Sequence, residues 1–166
     1  MADLLSPESL HRAAAYISGL PVSEAMSVNG CLAALDTEGQ TTETDWPYNS
    51  PASVNTTAKY FTRKGYFEKF DAPLIEALVR AGMPIGVVLN IGLEFFRVTN
   101  DMPLEVTDAL PVQACHALII SGFRTTSGKC YFRLKNSWGP GWGRDGHAWA
   151  SANYLALRSP GIIRLT

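Results

Sequence analysis

His116 and Asn136, 20 positions apart, are the first residues in this chain whose types and spacing could do chemistry. An imidazole can take and return a proton near neutral pH, and an amide carbonyl can hold that ring in one tautomer and one orientation. The runs Ala117–Phe123 and Lys129–Asn136 read as strands joined by a turn around Thr125, Ser127 and Gly128. An antiparallel hairpin brings the start of its first strand beside the end of its second, so the two side chains can meet. Trp138 follows closely enough for its indole to shield that hydrogen bond from water. A nucleophile is harder to find. Cys115 directly precedes His116, and strand alternation should send its sulfur to the opposite face. Cys31 falls on the apolar stripe of a helix and reads as a buried thiol, and Cys130 follows the hairpin turn, away from the Asn136 end. His11 and His147 have no evident partners and read as surface or packing residues.

The elements that must position these groups are marked by their caps. Ser6 followed by Pro7 predicts a helix from Pro7 to about Ile17, broken at Gly19-Leu20-Pro21. Ser27 predicts a second helix with Val28, Cys31, Leu32 and Leu35 on one stripe, ended by Gly39. Asp71 predicts a third, carrying Leu74, Ile75, Leu78 and Val79 and closed by Gly82 and Pro84. Ile85–Leu89 reads as a buried strand, 93–113 as irregular, and 139–146 as a glycine-rich loop. A strand at His147–Ala150, a helical turn near Ala152–Leu157 and a strand at Ile162–Leu165 follow. Helices precede strands, which makes the class α+β.

Composition narrows the function classes. The 166 residues are 46% hydrophobic and 17% charged, which supports a packed core and a single domain. A net charge of -1 argues against a general nucleic-acid or membrane-surface binder. No apolar run approaches the ~20 residues of a membrane span, and the first residues lack the pattern of a secretory signal. Cys31, Cys115 and Cys130 are too few and too scattered for a disulfide framework or a zinc site. These features favour a cytoplasmic setting, with no metal and no cofactor.

The segment His116–Phe123, then Lys135-Asn136-Ser137-Trp138-Gly139 and Gly141-Trp142-Gly143, resembles the histidine strand, Asn-Ser-Trp-Gly block and following Trp-Gly of papain-like (C1 family) cysteine peptidases, including bacterial members. Earlier segments are similar in the same order. These are Leu5–Leu10, Gly30 with Ala33, Ala34 and Leu35, Trp46-Pro47-Tyr48, and Ile75–Leu89. The resemblance implies a papain-like fold, with a helical N-terminal portion and a C-terminal antiparallel β-sheet or barrel. Residues 1–70 would be the remnant of the helical lobe and 71–166 mostly the β lobe of one domain. It implies His116 as general base and acid, Asn136 as its orienter and Trp138 as the shield. Ile91, Phe95 and Ala114, with Phe96 beside them, are candidates for an apolar substrate pocket.

The chain departs from that family in its first part. The family's nucleophile lies about 130–150 residues before the histidine, which counts back past Met1, and no segment here resembles its surroundings or its oxyanion-hole glutamine. The long central helix that begins with this cysteine is missing with it. The expected consequence is an apolar trough lined by Leu10, Ala14, Leu32 and Leu35, open to a companion chain or self-association. Three readings stay open. The chain is part of a peptidase whose cysteine is supplied elsewhere, a non-catalytic peptide- or protein-binding module, or an intact enzyme using Cys115 or an unrelated residue.

Overall fold

A computed structural model describes residues 4–99, 102–106 and 111–166, so the stretch expected to be irregular over 93–113 lies partly outside the described residues. The chain divides into two compact units: the chain up to Phe67 with Leu165–Thr166, and Glu68–Arg164.

The first unit is built on α1 (Pro7–Ser18) and α2 (Val28–Thr37). The expected serine caps are in place. Ser6 Oγ accepts from Ser9 N at 3.2 Å and Ser27 Oγ from Gly30 N at 3.0 Å. Gly19 closes α1 in the left-handed conformation. Ser6 also joins the helix start to the following loop: its N–H donates to Thr41 O (2.8 Å) and its carbonyl accepts from Gln40 Nε2 (2.7 Å). The expected trough takes a different form. Ala14 and Leu35 are buried and Leu10 and Leu32 half-buried, because the two helices pack on each other through small residues. Of the four, only Leu35 borders a cavity of about 320 Å³, which is shared with Leu5, Gln40, Phe61, Arg63 and Leu165. A short strand, β1 (Gly65–Glu68), was not expected, since its mostly exposed residues carry no apolar alternation.

The second unit contains α3 (Ala72–Arg80), β2 (Ile85–Ile91), the single turn α4 (Leu93–Phe96), β3 (Ala114–Thr126), β4 (Lys129–Lys135), β5 (His147–Ser151), α5 (Ala152–Arg158) and β6 (Gly161–Leu165). Strands β6-β2-β3-β4-β5 lie side by side, and each adjacent pair is antiparallel. With its helices this is the expected α+β class. Asp71 caps α3 by accepting from Leu74 N at 3.0 Å, and the helix buries Ile75 in the core. Alternate residues of β2 (Ile85, Val87, Leu89 and Ile91) meet Leu118, Ile120, Phe132, Leu134, Leu155 and Ile162 in that core.

The β3–β4 hairpin turns on two residues. Ser127 (φ 51°) and Gly128 (φ 73°) sit between the paired Thr126 and Lys129, the positive-φ combination that suits the right-handed twist of flanking strands. A bulge interrupts the ladder. Ile120 pairs with Leu134 and Gly122 with Arg133, so Ser121 is the extra residue. Among the described residues, no helix is long and apolar enough to cross a membrane.

Candidate active site

His116 is the third residue of β3, whereas the sequence put it at the strand's start. Ala114 and Cys115 extend the strand because they pair with Ile91 and Asn90 of β2. Asn136 lies one residue beyond β4, where its N–H donates to Gly146 O at 2.9 Å. The hairpin brings the two side chains together as expected. His116 Nε2 and Asn136 Oδ1 are 2.8 Å apart.

A second contact decides which ring nitrogen holds the proton. The backbone N–H of Ser137, which can only donate, meets the same Asn136 oxygen at 2.8 Å. That atom is therefore the carbonyl oxygen of the amide and accepts twice. His116 therefore donates from Nε2, and in the neutral ring the lone pair lies on Nδ1. Asn136 is 7% exposed, so the bond is kept out of bulk water.

An aromatic cluster holds the ring. Trp138 lies over His116 with centroids 4.7 Å apart and an angle of 35°. Its indole also stacks on Phe96 (5.2 Å, 20°) and meets Phe95 edge-on (5.5 Å, 86°). Phe95 touches the His116 ring edge at 6.0 Å, and its carbonyl accepts from Trp142 Nε1 at 2.9 Å. Behind it, Glu94 accepts from Tyr154 Oη (3.0 Å) and pairs with Arg158 (3.3 Å), tying α4 to α5. Burial first, and Glu94 second, push the Tyr154 phenol far above its ordinary value, so it stays a donor. Gly143 is required next to this cluster. Its φ is 58°, and an added Cβ would run into the His147 backbone.

Of the remaining candidates, Ile91 and Phe95 belong to the buried core, while Ala114 and Phe96 are exposed. Any apolar pocket here would offer a ligand the latter two. Cys115 is exposed but sits at the adjacent register position, pointed to the other face by alternation. Burial raises the thiols of Cys31 and Cys130 above their ordinary value, Glu76 adding to the rise at Cys130, which makes both poorer nucleophiles. His11 and His147 were expected to lack partners. Instead His11 Nε2 lies 3.2 Å from Glu24 O and His147 Nδ1 lies 2.8 Å from Asp145 O. Backbone carbonyls carry no sequence signal, which is why those contacts could not be read. Among the described residues, no group of three or more His, Cys, Asp or Glu side chains could hold a metal ion.

An imidazole–amide pair at the end of an antiparallel hairpin, roofed by the tryptophan of an Asn-Ser-Trp-Gly segment, defines a class. The match over residues 26–157 to the model described as papain family cysteine protease shows that the chain belongs to that family. It is 38% identical to silicatein of Petrosia ficiformis over 77 residues, 46% of this chain and 22% of that protein. It is 29% identical to mouse (Mus musculus) cathepsin K over 121 residues, 69% of this chain and 36% of that protein. The crystal structure of xylellain, a cysteine protease from Xylella fastidiosa, superposes with a TM-score of 0.73 at 19% identity, covering 98% of this chain and 69% of that one. That likeness confirms the papain-like fold. The chain spans 22% of silicatein and 36% of cathepsin K, well under two thirds of either relative.

Proposed function

We propose that this chain supplies the base and its orienter to a cysteine-type peptidase, with the nucleophilic thiol contributed from outside residues 1–166, by an adjoining segment or a companion chain. The observation that carries this reading is the 2.8 Å bond from His116 Nε2 to an Asn136 oxygen also held by the Ser137 N–H. It leaves Nδ1 as the nitrogen that accepts the thiol proton. The thiolate then adds to a peptide carbonyl, Nδ1–H protonates the departing amine as the C–N bond breaks, and water attacks the acyl-thioester with the same imidazole as base. Asn136 keeps the ring oriented through both proton transfers, and Trp138 keeps water from that bond. In this reading the two compact units are what remains of the helical and β lobes of one papain-like domain. The substrate is a peptide or protein, and Ala114 and Phe96 offer it apolar surface. The buried Asn136 Nδ2, which has no partner among the described residues, is a group that an added segment could satisfy.

The test is complementation. A polypeptide carrying the family's cysteine helix is fused or added to the chain, and labelling by a thiol-directed peptide probe is followed. Labelling is expected only in the complemented protein. It should fall by about 10²–10⁴-fold in His116→Ala and by about 10²-fold in Asn136→Ala, through misorientation of the ring. Undiminished labelling in His116→Ala would sink the proposal. Peptide binding with no labelling under any complementation would favour a non-catalytic binding module.

A further inference from the structure

On the β3–β4–β5 face of the second unit lies a cavity of about 590 Å³ to which none of the aromatic cluster around His116 contributes. Three arginines line it: Arg124 from β3, Arg133 from β4 and Arg144 from the 136–147 loop. Among its described lining residues Asp145 is the only acid. Arg124 is held flat, its guanidinium 4.3 Å from the Trp149 ring and 5.7 Å from that of Tyr131. Neither Arg133 nor Arg144 makes an ion pair among the described residues.

Gly122, the residue after the bulge, keeps part of this space open by lacking a side chain. Gly122 stands opposite Arg133, which stands opposite Trp149 across the ladder. A Cβ at Gly122 would come 3.4 Å from Arg133 Cβ and 3.8 Å from its Cδ. A longer side chain there would therefore occupy the volume between the arginines. In a chain of net charge -1, three guanidinium groups around one concavity form a local positive field that suits a compact anion.

We propose that this cavity binds a ligand presenting a phosphate or sulfate group, held by Arg133 and Arg144 with Arg124 braced against Trp149. The site is separate from the His116–Asn136 pair, so it stands whether or not the peptidase reading holds. Guanidinium forks match tetrahedral oxyanions through paired N–H donors. All three arginines are exposed residues, so their attraction for an anion weakens as salt is added.

The experiment titrates the 166-residue chain with inorganic phosphate and, separately, with inorganic sulfate, against chloride at matched ionic strength. The signals followed are the Trp149 indole and the arginine side-chain N–H resonances. Saturable shifts at the Trp149, Arg133 and Arg144 signals are expected with one or both anions, and the arm that saturates first tells which ester is preferred. Arg144→Gln and Arg133→Gln should each weaken binding by about tenfold or more. Gly122→Val, which changes no charge, should weaken it comparably by filling the cavity. Lys59→Gln, which removes a charge that does not line the cavity, should leave it unchanged. No saturable shift with either anion would overturn the proposal. Binding as tight as the parent chain's in both Arg144→Gln and Gly122→Val would do the same and would assign the shifts to ionic strength.

Discussion

The two units solve the problem of holding together by different means. The second buries large side chains against one another: Phe95, Phe132, Tyr154, Ile75, Leu89 and Leu134 are each 2% exposed or less. In the first unit the buried hydrophobic residues are Ala14, Ala15, Ala34 and Leu35, accompanied by the polar Ser6, Ser9 and Thr41. Its large apolar side chains stay outside, with Leu4, Tyr16, Tyr48 and Val54 each more than 60% exposed. One unit carries its own core. The other relies on caps, small-residue contacts and loop hydrogen bonds, and leaves apolar surface uncovered. The His116–Asn136 pair belongs to the unit with the core, so its geometry rests on the better-packed half of the chain.

The strongest test of this contrast is deletion of matched apolar side chains. Phe132→Ala in the second unit should cost about 3–5 kcal/mol, read as a lower urea midpoint. Tyr16→Ala in the first, where the ring is 84% exposed, should change stability by about 0.5 kcal/mol or less. Comparable losses from both would show that the first unit hides a core of its own.

Capping residues should rank the other way. Ser6→Ala removes a fully buried acceptor from Ser9 N and is expected to cost about 1–2 kcal/mol. Asp71→Ala removes an exposed cap from α3 and should cost about 0.5–1 kcal/mol. Hydrogen exchange at the first turns of α1 and α3 checks both, and a larger effect at Asp71 would break the ranking.

The smallest effect is acid sensitivity. Hydrogen bonds from Asn55 first, then Thr42, hold the Asp45 carboxyl below its usual range. Its contribution is fully present above the unfolded-state value near 4, and is lost as pH falls through the lower folded-state value. Arg164 and Tyr131 do the same for Glu68 and Glu105 in the second unit. Asn55→Ala should therefore flatten the loss that sets in as pH falls below the usual carboxylate range, in the first unit only. Fluorescence of Trp46, whose indole donates to Ser50 O at 3.1 Å, reports that unit.

What the sequence disclosed follows the same division. Caps at Ser6, Ser27 and Asp71 were legible because a short polar side chain before an apolar period has few other uses. Phe132 and Leu134 were legible because strand alternation survives wherever one face is buried. The meeting of His116 and Asn136 was legible because an antiparallel hairpin brings the start of its first strand beside the end of its second, even with its exact register unknown. The first two residues of β3 were missed because their place is set by Ile91 and Asn90 of another strand, a pairing between distant residues. The bulge at Ser121 was missed for a related reason, since a single extra residue leaves no periodic trace. The arginines of the cavity lie at 124, 133 and 144, too dispersed for a basic run, and are gathered only by the ladder and the loop. The trough was over-read. Ala14 and Leu35 look like orphans when a helix is subtracted, yet α1 and α2 bury them against each other.

The two-residue turn at Ser127–Gly128 has a kinetic consequence. Every contact between β3 and β4 is made within one hairpin, and hairpins of this kind close in about 1–10 μs. The segments carrying His116 and Asn136 are therefore brought together by an event of low contact order that needs neither helix of the first unit. The hairpin sets the approach of the two side chains, and the aromatic cluster around His116 is complete only once Phe95 and Phe96 of α4 join it.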